Sequence, residues 1–167
     1  LAAAGFLGGI TLIDNGGVGR VILTAAQAAA APDALAAITS PHALVLSVTA
    51  AQALTATVPS GDFDSLHVND TLANIAANLA GLEKLAANGT ITGITYTGTV
   101  LNLPAAQVGA HAELLLRLGT GYTINLTDGG TPTIALQEWQ LAGNIATLLN
   151  RIASPYTLAI DGPIRAQ

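Results

Sequence analysis

The word Thr-Ala-Ala-Gln stands at 24–27 and again at 49–52, and Pro104-Ala-Ala-Gln107 restates it with its first residue changed. Self-similarity at such intervals constrains a fold before any element is assigned. Each copy must form a similar supersecondary unit, and neighbouring copies must meet to bury their apolar faces. Strand-like words that begin at Ile10, Leu44, Ile91, Tyr122 and Tyr156 give spacings of roughly 34, 47, 31 and 34 residues. Tyr156-Thr-Leu-Ala-Ile-Asp-Gly162 restates Tyr122 to Gly129. The approximate units are 10–43, 44–90, 91–121 and 122–155, with another starting at 156, and residues 1–167 read as one repeat array.

The most complete unit is Asn69 to Gly98. Leu72, Ile75, Leu79, Leu82 and Ala86 recur at three- and four-residue steps, which predicts a helix with one covered face. Asn69 or Asp70 is placed to accept from the free amides of its first turn, and Asn88-Gly89 offers a left-handed exit. Ile91, Ile94 and Tyr96 then form a β-rich run, with a turn at Thr97-Gly98-Thr99 before Val100 to Leu103. Elsewhere, Ile10 to Asp14, the turn Asn15-Gly16-Gly17 and Arg20 to Thr24 predict a hairpin, as does Tyr122 onward with its turn at Asp128-Gly129-Gly130. A helix capped by Thr24 runs towards Ile38 with a break or restart at Pro32, and one from Gln137 buries Leu141, Ile145, Leu148 and Ile152. The expected fold is α/β: tandem ββα repeats stacked as a solenoid, with helices in a row packed on a sheet of successive hairpins.

Composition narrows function mainly by exclusion. Apolar residues make up 51% of the chain, enough for a core, and charged residues only 9%, so some of the Ala/Thr/Asn surface is expected to lie against neighbours. The strong cations Arg20, Lys84, Arg117, Arg151 and Arg165 are scattered in a chain of net charge −5, which argues against nucleic acid. The longest uncharged run containing Pro41 and Pro59 is too broken for a lipid-facing helix, so no membrane span is expected. Without Cys there are no disulfides and no thiolate metal sites. The opening residues carry no basic segment and no signal-peptide pattern, and the chain reads as a piece of a longer one.

Candidate sites are few. Gly16-Gly17-Val18-Gly19 lacks the GK[ST] ending of a phosphate loop and sits in a turn. Asp62, Asp64 and Asp70, with Asn69, are the candidates for calcium, because a hard cation needs several nearby oxygens; a solvated loop with a helix cap is the competing reading. His42, His67 and His111 fit no metalloprotease or nucleophile pattern, and the chain reads as no enzyme. Trp139 with Tyr96, Tyr122 and Tyr156 offers a sugar-stacking surface, against a repeated packing role for the tyrosines. Asp14, Asp128 and Asp161 suit tight turns.

The segment DTLANIAANLAGLEKLAANGTITGITYTG, together with TAAQ, LTDGGTPTIAL and YTLAIDG, resembles the Ala/Thr-rich tandem repeats of very large secreted or surface-associated bacterial proteins. Those repeats typically read DTAANIAANLDAL, then I-x-x-I-x-x-TD and L-x-x-AAQ, and some of the proteins carry RTX-type calcium repeats elsewhere. The resemblance implies an extracellular or cell-surface, non-enzymatic role in adhesion, surface-layer or filament assembly. Its partners would be neighbouring copies or adjacent repeats. It supplies no catalytic residues, and the nonapeptide calcium repeats are missing here. Alternative expectations are a glycan-binding module and a passive domain of a larger secreted enzyme.

Overall fold

The computed structural model describes residues 9–13, 18–58 and 63–162. The Thr-Ala-Ala-Gln words are where strands turn into helices. Thr24 and Thr49 are extended and accept from the amides of Gln27 and Gln52, whose side chains accept in return from the threonine amides. This is a reciprocal cap in which both ends of the word satisfy backbone donors at a helix start. The helices it opens are α1 (Ala25–Ala30) and α3 (Ala50–Ala53), following β1 (Gly19–Leu23) and β2 (His42–Val48). Pro32, in the first turn of α2 (Pro32–Ala36), restarts the helix after Ala31.

The long helix expected in the most complete unit is two. After β3 (Ser65–Thr71) come α4 (Leu72–Ala77) and α5 (Leu79–Ala87), divided at Asn78. The division keeps phase: Leu72, Ile75, Leu79 and Leu82 are all buried. The side-chain cap is Thr71 rather than Asn69 or Asp70, with its hydroxyl accepting from the Asn74 amide at 3.2 Å. The chain continues through β4 (Ile91–Thr97), β5 (Val100–Leu103), α6 (Ala105–Ala110), α7 (Ala112–Arg117), β6 (Thr123–Leu126), β7 (Thr133–Gln137), a 3-10 turn (Glu138–Ala142), α8 (Ile145–Leu149) and β8 (Thr157–Asp161).

Strand pairing overturns the expected ββα solenoid. Every named strand pair is parallel, and at least one helix lies between its two strands: the order β1-β2-β3-β4 makes a curled four-stranded sheet, beside pairs β5-β6 and β7-β8. The result is a small mixed α/β domain. None of the expected hairpins forms among the described residues. Gly98 does turn the chain, with φ +102°, but β4 pairs back to β3 while β5 pairs forward to β6. Likewise β6 and β7, on either side of Asp128-Gly129-Gly130, pair with different strands. Ile10 bridges Ile38 in parallel, and the turn at 15–17 lies outside the described residues.

The physical reason is that helices cover only one side of these strands. In β5, β6 and β7 buried and exposed residues alternate strictly. Alternation is the usual mark of an antiparallel sheet with one wet face, whereas fully covered parallel strands read as continuous apolar runs. A parallel sheet left open on one face imitates the hairpin pattern. The core runs through Leu66, Val68, Leu101, Leu103, Ile124, Ile134 and Leu136 on the strands, met by Ile75, Leu82, Val108, Leu115 and Leu148 from the helices. From the helix expected after Gln137, Ile145 and Leu148 are buried, Ile152 is partly buried, and Leu141 is largely exposed.

Candidate functional site

The candidate aspartates lie beside or at the ends of strands, and those among the described residues hydrogen-bond to other parts of the fold. Asp70, at the end of β3, accepts from the amide of Ala50, the first residue of α3, at 2.9 Å, and also from the Thr71 amide and the Asn74 side chain. The Asn74 hydrogen bond holds its carboxyl below the usual carboxylate range; desolvation opposes it, and the Ala50 and Thr71 amides add to the lowering. Asp128 repeats the arrangement, accepting from the amide of Ala105 at the start of α6 at 2.6 Å. Each aspartate stands at or just after the end of a strand and accepts from the first amide of a helix that precedes that strand in the chain. In the third copy of the word, Pro104 has no hydroxyl to offer, and Asp128 supplies the cap instead.

Of the calcium candidates, Asp64 accepts from the Leu44 amide at 3.0 Å and returns its own amide to the Leu44 carbonyl. Asp70 is bound as above, and Asp62 lies outside the described residues. Among the described residues no group of three carboxylate, His or Cys side chains is arranged to hold a metal ion. Asp161 accepts from the Gln137 side chain at 3.3 Å, and Asp14 lies outside the described residues. Of the glycine-rich run, Val18 is exposed and Gly19 opens β1, while Gly16 and Gly17 also lie outside.

The histidines are not brought together. His42 Nδ1 contacts the Ser40 carbonyl at 2.9 Å, His67 Nε2 the Thr95 hydroxyl at 3.2 Å, and His111 Nδ1 the Glu83 carboxylate at 2.7 Å. Partial burial, and then the charge of Arg20, lower the His67 pKa. The His67 ring lies against Gly93 of β4, where an added Cβ would stand 2.7 Å from its Nδ1.

Cross-strand hydrogen bonds run over the open faces. Arg20 donates to the Thr92 hydroxyl, which is also paired with Ser65. The Asn125 amide nitrogen donates to Asn102 at 3.0 Å, and its oxygen accepts from Ser154 at 3.1 Å. Thr133 and Thr157 share a hydrogen bond of 2.8 Å. These rows satisfy each other across neighbouring strands.

The aromatic residues do not form a stacking platform. Tyr122 is buried, donates its hydroxyl to the Leu115 carbonyl at 2.6 Å, meets Tyr96 edge to face at 5.8 Å and lies 5.1 Å beneath the Arg151 guanidinium. Burial raises its pKa against the opposing influence of Arg151. Tyr156 packs against the core. Among the described aromatic residues Trp139 alone is well exposed, at 59%, beside a cleft of about 110 Å³ lined by Glu113, Leu116 and Gln140. A larger, mainly apolar groove of about 660 Å³ lies between α1, α2 and Phe63, with His42 and Asp64 on its lining, each bonded to backbone groups.

Sequence reasoning missed the helix-capping role of Asp70 and Asp128, for which only three-dimensional adjacency gives a signal. The reciprocal caps did have one, since Thr-x-x-Gln is the capping-box pattern. No helix among the described residues is long and apolar enough to cross a membrane. No protein-family model, no curated protein and no solved structure matches the chain.

Proposed function

We propose that this chain is a non-enzymatic structural segment of a secreted bacterial cell-surface or filament-forming protein, acting by association with neighbouring copies. The observation that carries the reading is how the reactive side chains are employed. Asp64, Asp70, Asp128, His67 and His111 each make contacts that join one element of the fold to another, and His42 contacts the backbone carbonyl of Ser40. A surface poor in charge, with Thr and Asn rows on the open faces, suits contact with similar surfaces. The resemblance to Ala/Thr-rich repeats of secreted bacterial proteins supports the same location.

The test is protease treatment of intact cells that make the parent protein. Cleavage detected by an antibody against this segment, with a cytoplasmic control protein left whole, is the expected result. Full protection until the cells are lysed would overturn the surface location.

A second reading, glycan recognition, is favoured by the exposure of Trp139 beside its cleft. It requires binding on a glycan array that Trp139→Ala removes. Absence of binding by the unaltered chain would eliminate it.

A further inference from the structure

β1 and β8 each have one strand neighbour among the described residues, so each offers a second edge. On β8 every residue is exposed, with Leu158 at 51% and Ile160 at 54%. Their counterparts in β7, Ile134 and Leu136, are 0% and 1% exposed. An apolar row that is fully covered on one strand is therefore half bare on the next.

The backbone phase of both edges can be read from their pairing. The Thr157 amide donates to the Pro132 carbonyl, so the amides and carbonyls of Leu158 and Ile160, out of phase with it, point away from β7. The Gly19 amide donates to the Pro41 carbonyl, so Val21 and Leu23 point towards β2 while Arg20 and Ile22 present their backbone groups at the free edge. In a parallel ladder, a residue whose backbone faces its neighbour sits beside one whose backbone faces away. Leu158 beside Val21 and Ile160 beside Leu23 obey that rule.

We propose that β8 of one copy pairs in parallel with β1 of a second copy, in the register Leu158 to Val21, Ala159 to Ile22 and Ile160 to Leu23. This deepens the self-association proposed above and rests on it. The register continues two apolar rows across the junction: Ile134, Leu158, then Val21 and Leu44 of the next copy; and Leu136, Ile160, then Leu23 and Leu46. Both strands have five residues, and the match uses the same parallel sense as every named pair inside the molecule. The contact is heterologous, so it leaves one edge free at each end and propagates. Exposed strand edges are the usual templates for such addition.

The absence of Cys makes the pairing testable by single-site cross-linking. Ala159 and Ile22 are exposed, and neighbouring positions on paired strands fall within the Cα separation a disulfide needs. Under mild oxidation, Ala159→Cys mixed with Ile22→Cys is expected to give the mixed dimer about tenfold over either homodimer. The double variant should give a ladder of oligomers. Ala159→Cys mixed with Arg20→Cys, two residues out of register, should cross-link far less. Leu158→Lys with Ile160→Lys, introduced beside Ala159→Cys, should abolish the mixed dimer while leaving the circular dichroism spectrum of the folded chain unchanged.

A predominant Ala159→Cys homodimer would overturn the proposal in favour of an isologous β8 contact. No mixed dimer at millimolar protein would overturn it outright. Either result leaves the cell-surface reading to its own protease test, and protection in that test leaves the cross-linking result unaffected.

Discussion

Among the described glycines, Gly109 of α6 leaves the least room for a side chain. A Cβ there would fall inside contact distance of the Ala135 carbonyl oxygen on β7, a backbone atom that cannot swing aside. The Gly109 carbonyl also accepts from the buried Gln140 side chain at 3.0 Å. Gly109→Ala is expected to cost about 1–3 kcal/mol by overpacking, measured as a fall in the urea midpoint. Gly81 makes the comparison: the nearest atoms to its added Cβ belong to the Leu54 side chain, which is 43% exposed and free to shift. Gly81→Ala should be neutral or stabilising, because leaving glycine in a helix gains roughly 1 kcal/mol.

Two residues also set a pH dependence. Asp70 has a folded pKa below its ordinary 3.8, so the stability it contributes is present above that value and is lost as pH falls through the lower folded one. His67 is depressed below 6.5; above that value it is neutral in both states. Below it the unfolded chain takes up the proton first, and stability declines until the folded imidazole also protonates. Urea midpoints followed against pH should show both declines. His67→Gln should remove only the upper one and Asp70→Asn only the lower one.

At the scale of elements, the helix starts are what the sequence repeats. The capping words hold short helices, α1 of six residues and α3 of four, that would not persist alone. Thr49→Ala should lower stability by about 1 kcal/mol. Asp128→Ala should cost a similar amount, since Pro104 provides no side-chain cap to share the load at α6. If the two caps act independently, the double variant should show additive losses by calorimetry. The caps were legible as repeated words, because a cap is a local pattern of side chain and amide. The aspartate bridges were not, because Asp70 and Ala50 meet only after β3 has aligned with β2.

Across the whole molecule, the continuous core runs from Ala50 to Leu148 and draws on strands of all three sheets. Neither α1 nor α2 has a buried residue, and β8 has none. Local opening follows buried apolar contact, so amide exchange should be fastest at 19–36 and 157–161 and slowest in β3, α5 and β5. Equal protection throughout would show that the outer elements are held by something beyond this core. The same outer elements carry the proposed junction, so raising the concentration of the unmodified chain should slow exchange selectively at Leu158, Ile160, Arg20 and Ile22.

The sequence by itself determined the local elements: the helix starts at Thr24 and Thr49, the restart at Pro32, the glycine turn at Gly98, and the buried positions Leu72, Ile75, Leu79 and Leu82. These depend on periodicity and on caps reaching a few residues along the chain. Only the tertiary structure decided which strands pair. Alternating Val100 to Leu103 and Thr123 to Leu126 are compatible with an antiparallel hairpin and with a parallel sheet covered on one side, and the choice rests on where the intervening helices α6 and α7 pack. That packing replaced the expected hairpins with helical crossovers. It also distributed the candidate site residues along strand ends instead of gathering them, because strand register fixes spatial neighbours that sequence spacing leaves open.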